Sequence, residues 1–348
     1  MTSTTRLGFE LPSALEAREP PEARGDARDG VRMMATFRSS GALVHSRFCE
    51  LPDFLSPGDL VVINTSATIP AEVDAESVSG RRFFVHFSTE IEDDLWVVEP
   101  RMREGKRSSE WTEAQSPPGT FFLADGGTIE LLEHFPESRR LFLARVSLPL
   151  PARAWLERRG RPIHYGYLDR DWPLAAYQSA FASTPGSATM PSAGRPLSPE
   201  VITRLVGKGV GVTPVVLHTG VASLDSDELP YPERAVVPKV TANRVNATRF
   251  EGGRVIAVGT TVVRALESAV GEFGCVEEFC DWTNVLITPE RGVRVIDGIV
   301  TGWHEPEASH LLMLEAIAGR DLLERAYDEA IREGYLFHEF GDSHLVLP

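Results

Sequence analysis

Between residues 252 and 270 the period of the apolar positions changes in mid-run. Gly252 and Gly253 are followed by Arg254, Val255, Ile256, Ala257 and Val258, a short run rich in β-branched residues that suits a buried strand. Gly259-Thr260-Thr261 interrupts it. From there Val262, Val263, Leu266 and Val270 fall on one face of a helix, with Arg264 and Glu267 polar between them. A strand therefore runs through Gly-Thr-Thr into a helix N-terminus. Unpaired N–H groups gather there, and a glycine lets a ligand come close. An ordinary threonine-capped turn has the same spacing.

The same periodicities divide the rest of the chain. Residues 1–30, rich in Pro, Gly and charge, read as an extended arm. Residues 31–37 and 43–48 form a hairpin around Gly41, 51–55 a helical turn, and 60–64 a buried strand. Residues 82–88, 95–99, 120–123, 128–132 and 141–147 are short strands without helical period. They predict a smaller antiparallel β domain, 72–150, inserted into a larger one made of 1–71 and 151–348. In the larger part, helices are predicted at 152–159, from Ser198-Pro199 to Gly209, and at 240–248, 311–318 and 322–332. Strands are predicted at 211–217, 285–287, 293–299 and 344–347. The fold class is α/β, mixed α+β: a larger domain with a mixed, barrel-like sheet, plus the β insertion. Three strands then end in polar clusters: His218-Thr219-Gly220, Gly259-Thr260-Thr261 and Thr301-Gly302-Trp303-His304. Ligands of α/β folds collect at the carboxyl ends of strands.

Composition narrows the class. The 348 residues, 42% hydrophobic and 24% charged, support a soluble core, and no apolar run approaches a membrane span. Met1 to Gly8 contains no signal-peptide core, which predicts a cytoplasmic protein. Cys49, Cys275 and Cys280 make neither a disulfide framework nor a zinc pattern, so no metal is expected. The net charge of −15 opposes steering of nucleic acid. A local basic patch such as residues 101–107 still reaches phosphate, since salt screens charge beyond about 8 Å.

Several collinear segments identify the chain as a member of a family. Val258-Gly-Thr-Thr-x-Val-Arg-x-Leu-Glu267 resembles the S-adenosylmethionine:tRNA ribosyltransferase-isomerases of queuosine synthesis. So do the stretch from Leu51 to Asn64, Ile69-Pro-Ala71, Tyr177-Gln178, Pro191-Ser-Ala-Gly194, Leu217-His-Thr-Gly220, Thr301-Gly-Trp-His-Glu-Pro306, Leu311-Leu-Met-Leu314 and Phe340-Gly-Asp342. The resemblance spans nearly the whole chain. It implies transfer of the ribosyl part of S-adenosylmethionine to the aminomethyl group of a 7-deazaguanine base in tRNA. The ribose is rearranged to an epoxycyclopentane, with release of adenine and methionine. S-adenosylmethionine is then a consumed substrate, no prosthetic group is implied, and tRNA is the second substrate.

Such chemistry needs a base beside the sulfonium, a donor toward adenine, and polar groups for ribose and the methionine tail. His218 and His304 are the candidate proton-transfer groups. Asp297, near the end of its predicted strand, orients a histidine, binds a hydroxyl or serves structure. Ser192, Gly194, Gly220, Gly259, Thr260, Thr261, Thr301 and Asp342 are candidate substrate contacts. Arg264 and Glu267, three apart on one helix, either pair with each other or hold a ligand. The family's Asn-Asp-Thr-Arg-Val-x-Pro-Ala-Arg is here Asn64-Thr-Ser-Ala-Thr-Ile-Pro-Ala-Glu72, without either arginine. Its Pro-Thr-Ala-Gly-Leu-His-Phe is Pro191-Ser-Ala-Gly-Arg-Pro-Leu197. These departures and the acidic charge predict weak tRNA binding. Two alternatives stand beside the family activity: a non-tRNA acceptor used with S-adenosylmethionine or a related nucleoside, and an inactive binding homologue. Oligomeric state is not encoded legibly.

Overall fold

In a computed structural model, the structure describes residues 7–104, 107–109, 119–136, 138–221 and 230–348. A nine-stranded mixed sheet runs in the order Phe279–Thr283, Glu233–Val237, Gly211–Leu217, Leu60–Asn64, Val255–Val258, Gly298–Gly302, Ser343–Leu347, Arg32–Phe37, Leu43–Arg47. Its four central members, Gly211–Leu217, Leu60–Asn64, Val255–Val258 and Gly298–Gly302, are mutually parallel. Their carboxyl ends therefore share one edge. Alternation along these strands fills two cores. Leu60, Val62, Val255 and Ala257 face one side, which the helices Thr260–Ser268, Ser309–Ala318 and Arg320–Arg332 cover. Val61, Ile63, Ile256 and Val258 face the other, packed with Leu51, Val201 and Leu205. Burial on both faces is what a parallel sheet requires.

The second sheet holds seven strands between Glu72 and Ser109 and between Thr120 and Ser147. Leu95–Glu104 pairs with Arg82–Glu92 on one side and Phe142–Ser147 on the other. Six strands thereby close into an antiparallel barrel filled by Val73, Val85, Phe87, Phe121, Ile129 and Ala144. The helix Ala152–Arg159 presses Trp155 and Leu156 against this core.

Several predicted elements match closely. Leu60–Asn64, Ala152–Arg159 and Gly211–Leu217 have the expected ends. Ser198 Oγ accepts the Val201 N–H at 3.1 Å as the N-cap of Pro199–Gly207. Two predicted strands are corrected. Residues 285–287 are irregular, with Ile287 buried in the main core. Residues 293–297 are irregular too, and the strand is Gly298–Gly302. The reason is local: the Glu267 carboxylate takes the N–H groups of Arg294 (2.7 Å) and Val295 (3.0 Å), which then have none to offer a neighbouring strand. Glu72–Ser77, Glu233–Val237 and Phe279–Thr283 are strands that the periodicity did not reveal.

Candidate active site

A cavity of about 860 Å³ lies over the carboxyl ends of the central strands and reaches across to the barrel. Gly259 forms its floor. Its φ of 96° is disfavoured for residues with a side chain, and an added Cβ would come within 3.3 Å of Ala193 Cβ. The helix Thr260–Ser268 starts directly from it, so Thr260 and Thr261 line the cavity on the first turn. Asn64, at the end of the neighbouring strand, holds this edge together. Its side chain donates to Leu217 C=O (2.9 Å) and to Thr261 Oγ1 (3.2 Å) and accepts from Leu217 N–H (3.0 Å).

Thr301 and His304 enter from the strand Gly298–Gly302, with Thr301 Oγ1 2.9 Å from His304 Nε2. The His304 ring stacks on His310 at 4.7 Å and 10°. Burial, with His310, His338 and His344 nearby, holds the His304 pKa well below the ordinary imidazole value. His310 is pushed down to about 4 by burial and by Arg264. Both rings are neutral near pH 7. Arg264 lines the cavity but pairs with Glu233, and it donates to the carbonyls of Tyr231 (3.1 Å) and Thr283 (3.2 Å). Glu233 Oε1 accepts the Gly220 N–H at 3.1 Å, which ties Gly220 to the same wall.

Eight of the sequence-derived candidates meet in this cavity: Ser192, Gly220, Gly259, Thr260, Thr261, Arg264, Thr301 and His304. Five stand apart from its lining. His218 Nδ1 lies 2.7 Å from Ser66 Oγ, and burial, with Arg153 and Arg234, pushes its pKa to about 4. Gly194 is a packing position, where a Cβ would sit 2.9 Å from Phe181. Glu267 is fully enclosed; it accepts from main-chain N–H groups and from Arg291 (3.0 Å) rather than pairing with Arg264. Asp297 precedes its strand instead of following it, so it lies at the opposite edge of the sheet from His304, accepting the Val255 N–H at 2.8 Å. Asp342 accepts the N–H groups of Arg32 and Leu336, both at 2.8 Å.

The barrel supplies a wall that the sequence did not reveal. Glu72, His86 and Glu99 stand opposite one another on three adjacent strands. All three are buried, and His86 touches Glu72 at 2.9 Å and Glu99 at 3.0 Å. Glu99 also accepts from Arg140 (2.6 Å) and Arg101 (3.1 Å). Burial opposes charge on His86, but the two carboxylates outweigh it and raise its pKa. The Glu99 carboxyl is correspondingly held at about 2, burial being overcome by His86 and the arginines. Within the basic run 101–107, Arg101 is committed to Glu99, and Arg103 to Asp74 at 2.8 Å; Gly105 and Lys106 lie outside the described residues.

This triad has a measurable consequence. His86→Gln removes the cation between two buried carboxylates and is expected to destabilise the chain by about 3–5 kcal/mol. Because the folded His86 pKa is raised, its contribution is complete below about pH 6.5 and declines as pH rises through the folded value. The gap between wild-type and variant denaturation midpoints should therefore narrow from pH 6 to pH 9. A gap that stays constant would show that His86 is held uncharged.

A family model described as queuosine biosynthesis protein matches residues 4–346. An S-adenosylmethionine:tRNA ribosyltransferase-isomerase of Thermotoga maritima is 32% identical over 352 residues, covering 99% of each chain. One from Desulfitobacterium hafniense is 33% identical over 350 residues, covering 97% of this chain and 98% of that one. The crystal structure of an S-adenosylmethionine tRNA ribosyltransferase from Thermotoga maritima superposes with a TM-score of 0.56 at 27% identity, covering 99% of this chain and all of the other.

Proposed function

Because the chain belongs to the queuosine biosynthesis family, we propose that the strand-end cavity is the active site of an S-adenosylmethionine:tRNA ribosyltransferase-isomerase. The observation that carries this reading is the meeting of His304 with Gly259-Thr260-Thr261 over adjacent parallel strands, in a chain matched end to end. His304, neutral at pH 7, is the proton acceptor. With its Nε2 proton directed to Thr301, Nδ1 keeps a lone pair for the substrate. The first turn of the helix Thr260–Ser268 offers N–H groups and hydroxyls to the ribose or to the methionine carboxylate. Arg264, with Glu233 and Gly220, fixes the side of the cavity toward the barrel. Residues 72–150 form an inserted domain that supplies the wall opposite the sheet, through His86, Glu99 and Arg101.

The test is incubation with S-adenosylmethionine, with and without tRNA carrying 7-aminomethyl-7-deazaguanine, followed by chromatography of adenine and methionine. Release of both in step with tRNA is expected; no release with the modified tRNA overturns the reading. The net charge of −15 and the pairing of Arg101 and Arg103 with carboxylates support a weak nucleic-acid contact. Filter binding should give tRNA affinity weaker than about micromolar at physiological salt and stronger at low salt. Tight binding with a steep salt slope would show that phosphate contacts lie elsewhere on the chain.

A further inference from the structure

Most charged groups lining the cavity are matched. Arg264 pairs with Glu233, Arg101 with Glu99, and Arg18 lies between Glu16 (3.5 Å) and Asp169 (3.4 Å). Two carboxylates are different. Among the described residues, neither Glu305 nor Glu339 has an arginine or lysine within ion-pair distance, although both line the cavity on the side of His304; the Glu305 side chain is 64% exposed at the mouth, so water serves it, and the enclosed Glu339 is the one left uncompensated. Glu339 Oε2 is enclosed and has no hydrogen-bond partner among the described residues. Between them stands His338, its side chain only 6% exposed. Its ring is stacked on Tyr167 at 4.2 Å, Nδ1 lies 3.4 Å from Glu305, and Nε2 has no partner. His338 lines the same cavity. An uncompensated carboxylate and an orphan imidazole nitrogen in one wall are costly in a folded chain unless a ligand completes them.

We propose that the wall formed by Glu305, His338 and Glu339 is the subsite for the positively charged centre of the substrate, the sulfonium of a sulfonium nucleoside. This rests on the reading of the cavity as an S-adenosylmethionine site and says where its charge lies. Among the described residues, the guanidinium that reaches the residue after Glu339, that of Arg24, is spent on the carbonyls of Glu19 and Phe340 (3.1 Å). Tyr165, Tyr167 and His338 stand about Glu339, and burial keeps His338 neutral, its pKa pushed down to about 4. Across a small adjoining cavity lie Arg28, Arg195 and Asp342. Both arginines are held by Glu22, at 3.1 and 2.8 Å, and Asp342 by main-chain N–H groups. Burial pushes the Glu339 carboxyl up to about 7, so without ligand it is part-protonated at neutral pH. A cation arriving beside it favours the ionised form and expels the proton. Each pKa unit by which it does so is about tenfold in affinity.

The experiment compares S-adenosylmethionine with S-adenosylhomocysteine, the neutral thioether that lacks the S-methyl group, by calorimetry on the full chain at pH 7, with the double variant separating the effect of charge from that of the methyl. Wild type is expected to prefer the sulfonium by about tenfold or more. In the isosteric double variant Glu305→Gln, Glu339→Gln the preference should fall below about threefold, with the thioether affinity little changed. An independent check needs no variant. In two buffers of different ionisation enthalpy, the sulfonium should release a fraction of a proton on binding and the thioether none. A preference that survives in the double variant, equal weakening of both ligands, or equal proton release by both, overturns the subsite while leaving the cavity as the nucleoside site. Wild type that binds neither ligand overturns the parent reading as well.

Discussion

Replacing His304 by alanine is expected to lower turnover about 10²–10⁴-fold, the usual contribution of a positioned acid–base group. Three features of its setting support so large an effect. Thr301 fixes Nε2 at 2.9 Å, the His310 ring fixes the imidazole plane, and the His304 N–H donates to Tyr327 Oη at 3.2 Å. The ring is thus held before substrate arrives, which removes an entropic cost from the reaction. Its lowered pKa leaves the neutral form dominant well below pH 6.5, so the acid limb of kcat/KM due to this group should lie below that value. Because the ring is half-buried, lines an open cavity and carries no charge, its loss should cost activity far more than stability. Steady-state release of adenine, read beside the thermal midpoint, separates the two. A variant that loses stability but keeps its turnover would assign His304 to the fold alone.

Glu267→Ala should have the opposite profile. The carboxylate is wholly enclosed, accepts the N–H groups of Arg294 (2.7 Å) and Val295 (3.0 Å), and meets Arg291 at 3.0 Å. Truncation leaves two main-chain donors and a guanidinium without their acceptor, at a cost of about 3–5 kcal/mol. Denaturant unfolding should show the loss directly. Glu267→Gln, which keeps an acceptor oxygen, should recover part of it. Nucleoside affinity of the protein that remains folded should be close to wild type, since Glu267 is not among the residues that line the cavity. A selective loss of affinity without loss of stability would place this carboxylate on the ligand.

The local pattern determined most elements of the sheet and its helices. A β-branched run bounded by glycine has few folded solutions, and so the strand expected at 254–258 is observed at 255–258 and the helix expected from 261 to 270 is observed at 260–268. The strand Glu72–Ser77 escaped because its only apolar residues are Val73 and Ala75, set among Glu72, Asp74 and Glu76, a weak signal for a strand. Asp297 was misplaced for a related reason. The apolar residues Val293, Val295 and Ile296 look like a strand, but the backbone there is bonded to the distant Glu267. Gly259-Thr260-Thr261 and Thr301 to His304 were legible as strand ends, because strand direction alone decides which residues stand at a carboxyl edge.

What lies around that edge was decided by the tertiary structure alone. His86, Glu99 and Arg101 come from the barrel, His310 from the next helix, and Tyr167, His338 and Glu339 from segments separated by more than 150 residues. Nothing in the sequence near Glu339 says that, among the described residues, no arginine will pair with it, or that the guanidinium groups of Arg28 and Arg195 will already be committed to Glu22. Nor does anything near Glu72 announce that His86 will stand between it and Glu99. Charge compensation in a protein interior depends on which distant side chains arrive within a few ångströms. Periodicity carries the direction of a side chain along its own element, but the partners it finds are set by how the elements pack.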